Sequence, residues 1–136
     1  MAQLNVTQSV ALTIGNLPVS GSHSALSLDT STSFVVGNQV VNATAEFVGG
    51  DATAAGRNDF SDSAKNCLLF LRNDAPTSTA TADELLVALD GSNFNIIIKP
   101  QFCNLISVDA PLTVVKAKSG GNSITFTYAA VQLEAD

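Results

Sequence analysis

Apolar and polar residues alternate with a period of two along much of the chain. Val10, Leu12 and Ile14 are separated by Ala11 and Thr13. Val41, Ala43, Ala45 and Phe47 are separated by Asn42, Thr44 and Glu46, and Ile124, Phe126 and Tyr128 by Thr125 and Thr127. Successive side chains of a strand point to opposite faces, so these runs predict strands with one face on a core and the other toward solvent or a partner. Two runs depart from the alternation. Cys67-Leu68-Leu69-Phe70-Leu71 and Asn95-Ile96-Ile97-Ile98 are apolar on both faces, the pattern of a strand that is covered twice. One sheet-to-sheet contact needs only one apolar face, so the surplus favours an oligomer.

Turn signals punctuate these runs: Gly15-Asn16 with Pro18, Gly37-Asn38, Gly49-Gly50-Asp51, Asp90-Gly91 and Gly120-Gly121-Asn122. Gly, Asn and Asp tolerate the positive φ of tight hairpins, and Asp90-Gly91-Ser92-Asn93 predicts a hairpin between residues 85–89 and 94–98. The separated runs number about nine or ten, the spacing of a single-domain antiparallel β-sandwich, here expected to be of jelly-roll type. The fold class is all-β. Residues 81–89 have a competing helical reading, with Thr81 as N-cap and acids in the first turn. Their shortness, and the placing of Leu85, Val87 and Leu89 on one strand face, favours a strand. Residues 49–65 have no period and form a long polar loop, in which Arg57 and Phe60 are candidate protein–protein contacts. Residues 1–8 are a candidate N-terminal arm.

With 136 residues the chain has room for one core. Charged residues are 13 % of the total, about half the usual share. Six basic against 12 acidic residues give a net charge of -6, which argues against coating nucleic acid or docking on an anionic membrane. No apolar run reaches the ~18 residues of a membrane helix. The first residues hold no basic side chain and no continuous apolar stretch, so a secretory signal is not expected and synthesis in a reducing cytoplasm is. Cys67 and Cys103, both among apolar neighbours, are expected as buried free thiols.

Candidate chemistry is sparse. His23, the one histidine, stands in Ser20-Gly21-Ser22-His23-Ser24 without a G-x-S-x-G elbow, and is read as a polar turn residue. One His and two separated Cys are too few ligands for zinc. Asp51, Asp59 and Asp62 lack the spacing of a calcium loop, and no phosphate-binding loop is present. A chain with no Trp and one Tyr offers few stacking platforms for a sugar. No catalytic, cofactor-binding or metal residue is assigned, and neither an enzyme nor a cofactor is expected.

The second half carries an ordered set of weaker motifs. An apolar strand ends in a polar Asn (Cys67-Leu68-Leu69-Phe70-Leu71-Arg72-Asn73). A strand then runs into a Lys-Pro step (Phe94-Asn95-Ile96-Ile97-Ile98-Lys99-Pro100), a short strand has small and basic residues (Val115-Lys116-Ala117-Lys118-Ser119), and the last has a central aromatic (Ile124-Thr125-Phe126-Thr127-Tyr128). This order resembles that of short virion structural proteins of tailed bacteriophages. Where those sequences favour Gly and then an acid after the Lys-Pro step, this chain has Gln101 and Phe102. The resemblance implies a β-sandwich virion component of decoration or accessory type. With acidic charge better placed outside a DNA-filled head than inside it, the expectation is a capsid decoration or cement protein on the outer head surface. It would be assembled in the host cytoplasm and located in the virion. Its expected partners are the major capsid protein or other virion proteins and further copies of itself, a trimer being favoured by three-fold lattice positions. The rival reading is a neck, tail or fibre-associated subunit. A receptor- or glycan-binding module is a third.

Overall fold

The computed structural model describes residues 3–14, 16–50, 67–108 and 114–133. Among them are nine strands and one short 3-10 turn. The strands are β1 (Gln3–Ile14), β2 (Leu17–Val41), β3 (Glu46–Phe47), β4 (Cys67–Asn73), β5 (Leu85–Ala88), β6 (Ile96–Ile98), β7 (Cys103–Val108), β8 (Lys116–Ser119) and β9 (Ile124–Leu133); the 3-10 turn is Thr81–Asp83. They form two antiparallel sheets with strand orders β1-β2-β9-β4-β7 and β3-β8-β5-β6. This is the expected sandwich; the strand order does not by itself establish a jelly roll.

Alternation puts the core where the sequence pattern places it. Leu69 and Leu71 of β4 and Phe126 and Ala130 of β9 are fully buried, facing Leu85 and Val87 of β5, Ala117 of β8 and the adjoining Val115. Phe126 and Tyr128 stack obliquely, with ring centroids 6.0 Å apart, in the range where aromatic pairs attract. At the floor of the sandwich stands Asn73, completely buried. Its Nδ2 donates to Asp83 O and Ile98 O, both at 2.9 Å, and its Oδ1 accepts the Ala75 N–H at 3.0 Å. One amide thereby ties β4 to the 3-10 turn and to β6, and satisfies the buried Ile98 O and Ala75 N–H. The buried Glu84 carboxylate is paired by Lys99 Nζ.

Several local readings are corrected. The predicted strand across residues 41–47 is broken: β2 stops at Val41, Asn42 Oδ1 accepts the Thr44 N–H at 2.8 Å, and β3 then pairs with β8. The chain passes from one sheet to the other across residues 42–45. Gly37-Asn38 is not a turn but lies within β2, near its end. Gly37 lies opposite Tyr128, and a Cβ on it would stand 2.7 Å from the Tyr128 hydroxyl oxygen. The glycine makes room for a ring. Residues 81–89 divide between the two readings, a 3-10 turn over Thr81–Asp83 followed by strand β5. His23 is in β2, registered opposite Gln8, and not in a turn.

Asp90 shapes the β5–β6 hairpin as expected. Its Oδ1 accepts the N–H groups of Ser92 at 2.9 Å and Asn93 at 2.7 Å, while Gly91 takes φ = 78°. Gln101 has φ = 69°, a region that disfavours a side chain. It is held there by its own amide, whose Nε2 donates to Ala75 O at 2.6 Å, and by its N–H on Asn73 O at 2.9 Å.

Candidate functional site

Register determines which residues share the outer face of the larger sheet. β4 pairs with β7 and β9, and β9 pairs with β2. Directly opposed residues in antiparallel strands project to the same side. One row therefore crosses four strands: Val36 on β2, Ala129 on β9, Phe70 on β4 and Leu105 on β7. Beside it run Val131 and Leu68. Val36 is 65 % exposed, whereas Phe70, Leu68, Leu105, Ala129 and Val131 are half-buried. Three inter-strand spacings make the row about 15 Å wide. It contains no charged side chain.

A polar border closes this field on one side. The next row is Asn38, Thr127, Arg72 and Cys103. Arg72 Nε donates to Asp74 Oδ1 at 2.5 Å, and its guanidinium also reaches Thr127 Oγ1 at 3.1 Å. The Thr127 hydroxyl is 2.8 Å from Asn38 Oδ1 and 2.5 Å from Asp74 Oδ2, and its single proton serves one of them at a time. For Asp74, partial burial raises the carboxyl pKa, but hydrogen bonds from Thr127 and Arg72 and the charge of Arg72 outweigh it and hold the group below its ordinary value. The border is neutral as a pair. The field is thus apolar, and the charged side chains at its rim, Arg72 and Asp74, are paired with each other.

The two-faced run of β4 is where this face originates. In β4, Cys67, Leu69 and Leu71 point inward and Leu68 and Phe70 outward. The other two-faced run forms β6 of the smaller sheet, where Ile98 is buried and Ile97 is 54 % exposed. Arg57 and Phe60 lie outside the described residues, as do Asp51, Asp59 and Asp62 and all of the 49–65 loop beyond Gly50. Of residues 1–8, those from Gln3 onward belong to β1. Val36, Ala129, Val131 and Leu105 were not singled out by pattern, because only the cross-strand register aligns them with Phe70.

The cysteines differ from expectation. Cys67 is buried and free, and burial pushes its thiol up to about 11 against one backbone hydrogen bond that lowers it. Cys103 is free but exposed. It sits on the terminal strand β7, on the polar end of the outer face, where no further strand covers it among the described residues.

Other features offer less. A depression of about 220 Å³ is lined by Val87, Leu89, Asp90, Asn93, Asn95 and Ile96. Its one ionisable group, Asp90, is held down to about 2 by the backbone N–H groups of Asn93 and Ser92 and by the Asn93 side chain, so its oxygens are committed to the turn. Among the described residues no three His, Cys, Asp or Glu side chains gather as metal ligands, and no helix is long and apolar enough to cross a membrane. Comparison with protein-family models, with curated protein sequences and with solved structures finds no match to this chain.

Proposed function

We propose that this chain is a non-enzymatic structural subunit of a bacteriophage virion, a capsid decoration or cement protein whose outer sheet face lies against the major capsid protein on the outside of the head. The apolar row Val36–Ala129–Phe70–Leu105 carries the reading. A sheet face exposed in a monomer is ordinarily polar, whereas a contiguous apolar patch marks an interaction surface. The net charge of -6 suits a position away from packaged DNA, and the motif order of the second half supplies the resemblance to virion proteins.

The test is co-sedimentation of the purified chain with expanded empty heads of the phage that encodes it. The wild-type chain pellets with the heads, in high salt as in low, because the contact is apolar and poorly screened. Phe70→Asp places a charge in the middle of the row and abolishes binding while the thermal transition stays cooperative. Failure of the wild-type chain to bind heads contradicts the proposal. Binding limited to a dozen copies or fewer per particle transfers the same face to a neck or tail position.

A further inference from the structure

Among the described residues the larger sheet ends in two strands that each have one partner. β7 is its last member on one side and β1 on the other. Exposed edges invite pairing with other chains, and proteins blunt them with short strands, charges, prolines or bulges. The smaller sheet follows that rule, with terminal strands β3 of 2 residues and β6 of 3. The larger sheet does not. β7, Cys103–Val108, has no charge, no proline and an unbroken register against β4. β1, Gln3–Ile14, has no charge or proline either, and its one irregularity falls between Val6 and Gln8, leaving Gln8 to Ile14 in continuous register with β2. The two open stretches are of nearly equal length.

Their backbone groups without a partner among the described residues can be assigned. Asn73 N–H donates to Phe102 O at 3.0 Å, which fixes the alternation of the β4–β7 ladder. The amides of Asn104 and Ile106 face β4, and those of Cys103, Leu105 and Ser107 face away. On the other side Thr13 is registered opposite Pro18, a residue with no N–H to give. That pair is therefore a non-bonded one, and the amides of Ser9, Ala11 and Thr13 turn away from β2. Among the described residues β1 pairs with β2 alone, along residues that precede those pairing with β9. A two-stranded ribbon by itself is marginal in water and needs a third strand or a covering layer.

We infer that β1 of one copy adds to the β7 edge of a second copy, so that the larger sheet continues from subunit to subunit. The contact is heterologous: each chain gives one edge and receives the other, which generates a closed ring or an open chain. The inference deepens the structural-subunit reading and rests on it for self-association, but it uses the sheet edges and not the face proposed to meet the head.

Edge variants of the full chain, followed by light scattering after size exclusion, test it. Ala11→Pro removes an outward donor from β1, and Ser107→Pro removes one from β7; proline is tolerated where an edge N–H faces outward. Each variant alone runs as a monomer with a native-like circular dichroism spectrum, whereas the wild-type chain is oligomeric. A 1:1 mixture of the two variants gives a dimer and nothing larger, since one intact β1 then meets one intact β7. Backbone hydrogen exchange of the wild-type chain provides the second readout: the amides of Leu105 and Ser107 are protected at high concentration and lose that protection on dilution. A monomeric wild-type chain, variants that keep the wild-type mass, a mixture that stays monomeric, or free exchange of Leu105 and Ser107 in the oligomer would each overturn the inference. Loss of head binding with the oligomer intact would count against the decoration reading alone.

Discussion

Asn73 gives the sharpest stability prediction. It is completely buried and makes three hydrogen bonds, two donated to Asp83 O and Ile98 O and one accepted from Ala75 N–H. Asn73→Ala removes all three. At about 1 kcal/mol net for each, the loss is about 3 kcal/mol, and the buried Ala75 N–H left without an acceptor raises it to about 4 kcal/mol. For a domain of this length each kcal/mol lowers Tm by about 3–4 °C, so the expected drop is about 12–16 °C. Asn42→Ala is the matched control. Asn42 is exposed and makes a single local side-chain bond, to Thr44 N–H, so its loss stays near 1 kcal/mol. Thermal and urea unfolding of both variants would be compared by circular dichroism. Equal losses at Asn73 and Asn42, or a Tm drop at Asn73 of under 4 °C, would refute the view that one amide locks β4 to β6 and to the 3-10 turn.

Gly37→Ala should cost about 1–3 kcal/mol by overpacking against Tyr128, and less in a Tyr128→Phe background because the nearest atom, the hydroxyl oxygen at 2.7 Å, is then gone; additive losses in a double-mutant cycle would contradict this contact. At pH 8 an excess of thiol reagent should label one cysteine per native chain, the exposed Cys103, and both in urea, because Cys67 is buried with its thiol held at about 11; rapid labelling of Cys67 in the native chain would contradict its burial. Asp90 is held at about 2 in the folded chain against an ordinary value of about 3.9. A depressed carboxyl stabilises the fold above the unfolded value and loses that contribution as pH falls, so the stability difference between wild type and Asp90→Asn should be present at pH 6 and shrink between about pH 4 and 2. A difference that is constant with pH would show that the carboxylate charge plays no part in the turn.

The parts of this structure that depend on local pattern were legible in the chain itself. Alternation located β9 with Ile124, Phe126 and Tyr128 inward, the doubled apolar run located β4, and Asp90-Gly91 located the β5–β6 hairpin. What was not legible depends on which strands meet. Gly37 reads as a turn residue until Tyr128 is placed opposite it. Asn73 reads as the polar end of a strand, and nothing nearby reveals that Asp83 and Ile98 converge on it. Val36, Ala129 and Leu105 are unremarkable in sequence and become one row only through the registers of three strand pairs. Leu68 and Phe70 did announce the outer face, because a strand apolar on both sides needs two covers. Cys103 misled for the converse reason: apolar neighbours suggested burial, yet β7 is a terminal strand and its outer face has no second layer among the described residues.

The central claim is that the apolar outer face of the larger sheet exists to be covered by another chain. If the chain is a virion subunit as proposed, a whole-particle reconstruction of that virion tests it most directly. The account predicts many copies on the outside of the head, each with Val36, Ala129, Phe70 and Leu105 buried against capsid protein. A reconstruction in which that row faces solvent, or in which the chain has no place in the particle, would contradict it.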